Sequence, residues 1–326
     1  MKRALITGVT GQDGSYLAEL LLEKGYEVAG LDRTGFNGSI NEKVKLYTGD
    51  ISDSASLAEI IKKEEPDELY NLASIATVAK PWEDPVNIIQ VTGIVPVAIL
   101  ETLRQKSPRT KFFQASSAEM FGNPERSPQN EDTPFHPISP YGLGKLLAHL
   151  AVGQYRAQHN LFAVSGVLFN HESPRRGEGF VTRKITKMLA RIKTGAEKEL
   201  VLGNLNAIRD WGFAGDYVEA MWEMLQAKNP DDYVIASGET HTVRDFINAA
   251  AHALNVSITW EGEGENEVGK DSKGTVVVRV SKEFYRQIEK VDRCGDISRI
   301  QKALGWKPKT TFTELVRLMV EAEVVG

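Results

Sequence analysis

The sequence predicts an α/β fold built on a doubly wound parallel sheet, and three features carry that reading. Apolar runs of strand length recur from the first residues: Ala4-Leu-Ile-Thr7, Glu27 to Leu31, Val44 to Tyr47, Glu68 to Leu72, Lys111 to Gln114 and Phe162 to Leu168. Helical patterns separate several of them, so strand and helix alternate as in βαβ units. A glycine-rich turn, Gly8-Val-Thr-Gly11-Gln-Asp-Gly14, joins the first strand to the first helix.

In chain order, the first strand and turn lead to a helix from about Tyr16 to Lys24, whose apolar Leu17, Leu20 and Leu21 share one face and which Gly25 stops. Strand, glycine turn, helix and strand make a dinucleotide fingerprint, in which bare backbone amides and a helix N-terminus meet a pyrophosphate. The second strand ends in Asp32-Arg33. Asp32 suits a ribose 2′-hydroxyl and hence NAD, Arg33 a 2′-phosphate and hence NADP. After the third strand, Gly49-Asp50-Ile51-Ser-Asp53 can reach an adenine, and Asp53 can also cap the helix through Leu57 and Ile61. Small residues Ala73-Ser74-Ile75-Ala76 follow the fourth strand, and a helix from about Val86 to Gln105 precedes the fifth.

The richest chemistry lies between Gln114 and Lys145. Ser117 and Glu119 follow the strand at the sheet's carboxyl edge, where open α/β folds place their reactions. Ser139-Pro-Tyr141-Gly-Leu-Gly-Lys145 starts a helix with Tyr141 and Lys145 four apart on one face. A neighbouring ammonium favours phenolate, so the pair can take a hydroxyl proton while hydride leaves the same carbon. Leu146, Leu147, Leu150 and Tyr155 extend an apolar face that reads as core or as a homodimer seam.

Beyond the sixth strand, Asn170-His171-Glu172-Ser-Pro-Arg-Arg176 is a polar cluster at a strand end, with His171 open to a structural or a functional role. Arg183 and Lys184 in the first turns of the next helix oppose its dipole, which points to an external anion. Thr242 caps a further helix, Gly262 to Gly274 reads as a mobile acidic surface loop, and the chain closes with helices at Ser298 to Leu304 and Thr311 to Glu323.

Composition narrows the partners. A net charge of −5 over 326 residues sets the chain against nucleic acid or an anionic membrane, so phosphate must be met by local arginines. One cysteine, Cys294, allows no intramolecular disulfide and suits a reducing, cytoplasmic setting. The first residues enter a strand too soon for a signal peptide, and no apolar run approaches membrane length. Six scattered histidines and the lone cysteine offer no metal-ligand spacing.

Gly8-Val-Thr-Gly-Gln-Asp-Gly-Ser-Tyr16, Asn170-His-Glu-Ser-Pro-Arg-Arg-Gly177, Phe180-Val-Thr-Arg-Lys-Ile185, Gly203-Asn-Leu, Arg209-Asp-Trp-Gly212 and Asp216-Tyr-Val-Glu-Ala-Met-Trp222 together resemble the GDP-mannose 4,6-dehydratase family. This family lies within the extended short-chain dehydrogenase/reductases, and the resemblance runs from Met1 to about Val325. It implies a Rossmann domain over residues 1–168, with segments near 205–238 and 291–298 returning to it. A smaller, discontinuous nucleotide-sugar domain then occupies most of 169–326.

The implied cofactor is NADP, met by Gly8, Thr10, Gly11, Gln12, Asp13, Gly14, Arg33, Asp50, Ile51, Leu72, Ala73, Ser74, Ala76, His171 and Arg176, with Tyr141 and Lys145. Ser117, Glu119, Tyr141 and Lys145 are the implied catalytic set. Arg209, Arg286 and Glu289 match GDP contacts, with Asn170, Glu172 and Lys184 near the sugar and phosphates. The implied reaction turns GDP-D-mannose into GDP-4-keto-6-deoxy-D-mannose by internal hydride transfer and loss of water. The partner is thus a GDP-linked hexose, or a heptose such as GDP-manno-heptose, and the assembly a homodimer or homotetramer.

Other readings of the same scaffold are a nucleotide-sugar reductase or epimerase, which needs no dedicated base for C5, and a silent NADP-sensing protein, which would not need Tyr141 and Lys145. The chain departs from the family pattern at three places. Ser117 replaces Thr, keeping the hydroxyl. The loop 34–43 is shorter than the family's basic loop and carries Gly35 and Gly38. Gln287 replaces Pro, with Lys290 as an insertion.

Overall fold

The computed structural model describes residues 1–34, 40–75, 82–285 and 291–325. In chain order the elements begin β1 (Arg3–Thr7), α1 (Gln12–Glu23), β2 (Glu27–Asp32), β3 (Lys45–Thr48), α2 (Ser54–Glu64) and β4 (Glu68–Asn71). They continue with α3 (Pro85–Ile89), a π turn over Gln90–Ile94, α4 (Val95–Lys106), β5 (Lys111–Ser117), α5 (Pro140–His159) and β6 (Ala163–Leu168). Next come β7 (Asn170–Glu172), α6 (Val181–Lys193), β8 (Leu200–Leu202), β9 (Ile208–Arg209), β10 (Trp211–Phe213), α7 (Ala214–Gln226) and β11 (Tyr233–Ile235). The chain ends with β12 (His241–Thr242), α8 (Val243–Ala253), β13 (Thr259–Glu261), β14 (Val268–Lys270), β15 (Val276–Val280), α9 (Ser298–Leu304) and α10 (Phe312–Val325).

Seven parallel strands lie in the order β3-β2-β1-β4-β5-β6-β11. The order reverses between β1 and β4, which opens a crevice at their carboxyl ends. Alternate residues serve opposite faces. Leu5, Leu69 and Phe112 pack with Ile60 of α2 and Ile99 and Leu103 of α4, whereas Ile6, Tyr70 and Phe113 pack with Leu17 and Leu21 of α1 and Met221 of α7. A parallel sheet covered on both faces has to be apolar throughout, which is why its strands read as continuous runs.

Strand length positions the chemistry. β4 pairs with β5 only as far as Asn71 opposite Gln114, so Ala115, Ser116 and Ser117 run on beyond it beside β6. Ser117 is the last strand residue and caps a 3₁₀ turn, Ala118–Met120, that carries Glu119. On the far side, Ser139 caps α5 by accepting from the Gly142 amide at 3.1 Å, with Pro140 in the first turn. Gly93 and Gly144 let the π turn lie close on α5, since a Cβ on Gly93 would come 3.0 Å from the Gly144 carbonyl oxygen.

A second core gathers Ile185 and Leu189 of α6, Phe246 and Ile247 of α8, Val278 of β15, and Leu315 and Met319 of α10, over a four-stranded sheet β13-β14-β15-β8. Trp211 belongs to this core, but Tyr217, Met221, Tyr233 and Ile235 belong to the first, as do Ile300 and Trp306.

Several expectations are revised. α1 begins at Gln12, not Tyr16, because the glycine turn itself winds into the helix, with Ser15 N–H donating to the Gly11 carbonyl. The helix expected over Val86 to Gln105 is broken by the π turn just before Pro96, which has no N–H to give the preceding turn. The whole stretch Pro85–Lys106 is long and apolar enough to cross a membrane, against the expectation that no run reaches that length. Its Val95, Ile99, Leu100 and Leu103 are instead spent on the sheet. Gly262 to Gly274, expected as a loop, contains a 3₁₀ turn (Gly264–Asn266) and β14, the middle strand between β13 and β15, with Gly274 (φ +81°) at the β14–β15 turn and Glu267 buried against Arg244. Arg183 and Lys184 answer internal acceptors: Arg183 pairs with Glu323 at 2.8 Å, and the Lys184 ammonium donates to the Val201 carbonyl at 2.7 Å.

Candidate active site

The glycine turn forms a cradle at the switch point. Gly8 has φ +72°, and a Cβ there would touch the Ala73 backbone at 3.0 Å, so the first and fourth strand ends close on each other only because Gly8 is bare. Gly11 at the N-cap of α1 offers no side chain to the first-turn amides, which are left for an anion. Small residues and bare backbone facing a helix N-terminus fit the pyrophosphate of a dinucleotide. Leu72 and Ala73 amides reach Thr7, Asp50 stays exposed and accepts from the Ser52 amide at 2.8 Å, and Ile51 is buried. Asp53 caps α2 through the Ser56 amide. Asp32 turns inward to the Thr10 amide (3.2 Å) and the Thr34 amide (3.1 Å), leaving Arg33 exposed at the strand end.

A polar seam fastens the cradle to β7. His171 Nε2 lies 2.9 Å from Asp13 Oδ2 and its Nδ1 lies 2.7 Å from the Phe169 carbonyl, while Tyr217 stacks on the ring at 4.7 Å. Burial alone would lower the imidazole pKa, but the charge and hydrogen bond of Asp13 outweigh it and raise it; burial would likewise raise Asp13, and His171 turns that into a lowering. Both ring nitrogens face acceptors, so the imidazolium suits the site. Gln12 Nε2 donates to the His171 carbonyl at 3.0 Å, and Ser173 Oγ donates to Gln12 Oε1 at 2.8 Å.

The catalytic candidates converge beside this seam. Burial pushes the Tyr141 phenol up to about 12; hydrogen bonding from Ser117 pulls it back, the Glu119 charge raises it, and Arg176 and Ser74 lower it. Ser117 and Ser74 thus lie within hydrogen-bond reach of the hydroxyl, while Glu119 and Arg176 act on it through their charges. Lys145 is buried and its Nζ donates to the Ala115 carbonyl at 2.7 Å; burial drops its pKa to about 8. The same ammonium lies 5.5 Å from the centre of the Tyr141 ring, near enough for its charge to favour phenolate, while burial acts the other way and raises the phenol. The Glu119 amide donates to Ser117 Oγ at 3.2 Å, which fixes the hydroxyl against the Glu119 backbone and leaves the carboxylate free to turn about its own side-chain bonds.

Other candidates sit differently. Glu172 is almost fully buried, accepting from Thr182 Oγ1 at 2.6 Å and paired with Arg176 at 3.1 Å, so it braces Arg176 from within. Arg176 also stacks on Phe180 at 3.6 Å. Asn170 starts β7 opposite Trp211, and Arg209 Nη1 donates to the Ile208 carbonyl at 2.6 Å. Ala76, Arg286 and Glu289 lie outside the described residues, as do Gly35, Gly38, Gln287 and Lys290. Sequence reasoning missed Arg293, whose buried guanidinium donates to Glu119 Oε1. No local pattern announces it, since the partners are 174 residues apart.

The GDP-mannose 4,6 dehydratase family model matches residues 5–319. The chain is 46% identical over 340 residues to the GDP-mannose 4,6 dehydratase of Cricetulus griseus, spanning 99% of this chain and 91% of that protein. It is 44% identical over 345 residues to the GDP-mannose 4,6-dehydratase of Vibrio cholerae, spanning 98% and 93%. Solved structures of similar fold include RMD from Pseudomonas aeruginosa complexed with NADPH, at TM-score 0.81 and 21% identity over 100% of this chain and 99% of that one. Another is the UDP-glucose 4-epimerase of Thermotoga maritima with UDP-glucose, at TM-score 0.82 and 23% identity over 98% of each. With near-complete coverage on both sides and more than two-fifths of positions identical, the chain belongs to the GDP-mannose 4,6 dehydratase family.

Proposed function

We propose that the chain removes water from the hexose of GDP-mannose, giving GDP-4-keto-6-deoxy-mannose with no external reductant. The observation that carries this reading is the placing of Ser117 and Ser74 within hydrogen-bond reach of the Tyr141 hydroxyl, with Glu119 on the turn that Ser117 caps, beside a glycine cradle shaped for a dinucleotide. A nicotinamide cofactor there would supply a reversible hydride acceptor, so that hydride leaving C4 can be given back at C6.

Tyr141 receives the C4 hydroxyl proton as phenolate. The Lys145 ammonium, 5.5 Å from its ring centre, favours that form against the burial that holds the phenol near 12, and the ring charge of an oxidised nicotinamide, when bound, would act in the same direction. Once C4 is a ketone, the hydrogen on C5 is acidic. Glu119 removes it while the Ser117 hydroxyl donates to the ketone oxygen as negative charge develops there. The same carboxyl hands its proton to the C6 hydroxyl, which leaves as water, and a proton later returns to C5. A reductase or epimerase has no use for the Glu119 step.

The cofactor is NADP. Asp32 is already engaged by the Thr10 and Thr34 amides, so the exposed Arg33 is the group left to meet a 2′-phosphate. Val86, Ile94, Leu143, Leu147 and Leu150 form an exposed apolar face on α3, the π turn and α5, and a second copy of the chain covers it.

Incubating the purified protein with GDP-mannose and no reductant tests the reading. The expected product has lost one water. An unchanged mass, or turnover only with added NADPH, would reject it. A parallel arm with GDP-manno-heptose identifies the preferred sugar.

A further inference from the structure

Arg293 does not belong to the residues assigned above, yet it touches one of them. It reaches the Glu119 carboxylate from the stretch 291–297, which has no regular structure of its own but is held on both sides. On one side Gln129, fully buried, grips it. Gln129 N–H donates to the Cys294 carbonyl at 2.8 Å, Asp296 N–H to the Gln129 carbonyl at 2.8 Å, Cys294 N–H to Gln129 Oε1 at 3.1 Å, and Gln129 Nε2 to the Asp292 carbonyl at 3.1 Å. On the other side buried Asp210 accepts from the Gly295 amide at 3.1 Å, while its carboxylate also takes the Ser237 and Gly238 amides at 2.8 and 3.0 Å. Gly295 itself is wedged in place, since a Cβ there would lie 2.2 Å from the Ala236 Cβ.

The backbone flanking Arg293 is thus fixed to the end of β11 and to the loop before α5. The guanidinium is 7% exposed and Glu119 41%, so a rigid buried cation holds a carboxylate that opens to the cleft. Arg293 engages Oε1 and leaves Oε2 to the substrate. A glutamate on a one-turn 3₁₀ helix has three free side-chain torsions, and a base that must meet one particular C–H cannot afford that freedom.

We propose that Arg293 is a positioning residue for Glu119, orienting the carboxylate for removal of the C5 proton; this rests on the dehydratase reading. It makes no contact with the hydride step at C4, which belongs to Tyr141. The two steps therefore separate in the test. Holoenzyme carrying Arg293→Met is mixed with GDP-mannose, following the near-ultraviolet absorbance of reduced nicotinamide and, separately, release of the keto product. Reduced cofactor should form at the wild-type rate and then accumulate, with product release about a hundredfold slower and KM unchanged. Arg293→Lys, which keeps the charge, should recover to within about tenfold of wild type. Adding Arg293→Met to Glu119→Gln should slow elimination no further than Glu119→Gln alone.

Equal slowing of both steps, a lysine variant as impaired as the methionine one, a further loss in the double variant, or unfolding of both single variants at the assay temperature would each overturn the proposal. Wild-type protein that releases no water would instead bring down the dehydratase reading itself, whatever Arg293 does.

Discussion

Gly14 and Gly153 both lie inside helices, α1 and α5, and the same substitution should have opposite effects on them. On propensity alone, replacing either by alanine gains about 1 kcal/mol. A Cβ on Gly153 meets nothing within 4 Å, so Gly153→Ala should realise most of that gain. A Cβ on Gly14 would sit 2.2 Å from the Gly8 carbonyl oxygen and 2.6 Å from Val9 Cα. Both are backbone atoms and cannot rotate aside, so α1 has to shift off the glycine turn by most of an ångström. Overpacking of this kind costs about 1–3 kcal/mol, enough to cancel or reverse the propensity gain. For a chain of 326 residues 1 kcal/mol is about 1.5 °C, so the melting temperature should fall by up to about 3 °C for Gly14→Ala and rise by about 1.5 °C for Gly153→Ala. The shift also withdraws the first-turn amides, and losing one hydrogen bond to a charged group lowers cofactor affinity about tenfold. Thermal melts with and without NADP, and a fluorescence titration of the cofactor, measure both effects. A Gly14→Ala protein with wild-type melting and wild-type affinity would refute the cradle geometry.

Arg33→Ala should raise KM for NADP by about tenfold to a hundredfold and leave KM for NAD unchanged; equal effects on both would remove Arg33 from the cofactor site. The His171–Asp13 pair should leave a signature in urea. His171 has a raised pKa, so its contribution is complete below its ordinary 6.5 and fades as pH climbs through the raised value. Asp13 is lowered, so its share is complete above 3.8 and fades as pH drops through the lowered value. The stability gap between wild type and His171→Asn should be widest between those limits and shrink in alkali; a gap that ignores pH would show a role in packing alone. Leu150→Glu should break the proposed pairing of two copies, lowering the mass seen by light scattering without altering the fold, and an unchanged mass would remove that face from any interface.

The large sheet could be read because strands buried on two sides leave uninterrupted apolar runs, and the cradle because its glycines are adjacent in sequence. Tyr141 and Lys145 were visible for the same reason: one helical turn separates them. β13 and β14 could not be read, since they are three residues each and sit among glycines and acids that mimic a loop. Arg183 looked unpartnered because Glu323 comes from the last helix. The raised phenol of Tyr141 follows from burial and from Glu119, neither of which a Tyr-x-x-x-Lys spacing encodes.

The two cores share one thread. Trp211 fills the second, Tyr217 to Ile235 the first, Phe246 to Val278 the second again, Trp306 the first, and Leu315 to Met319 the second. Neither body is a cassette that can be excised or exchanged, because each depends on segments synthesised after the other has begun.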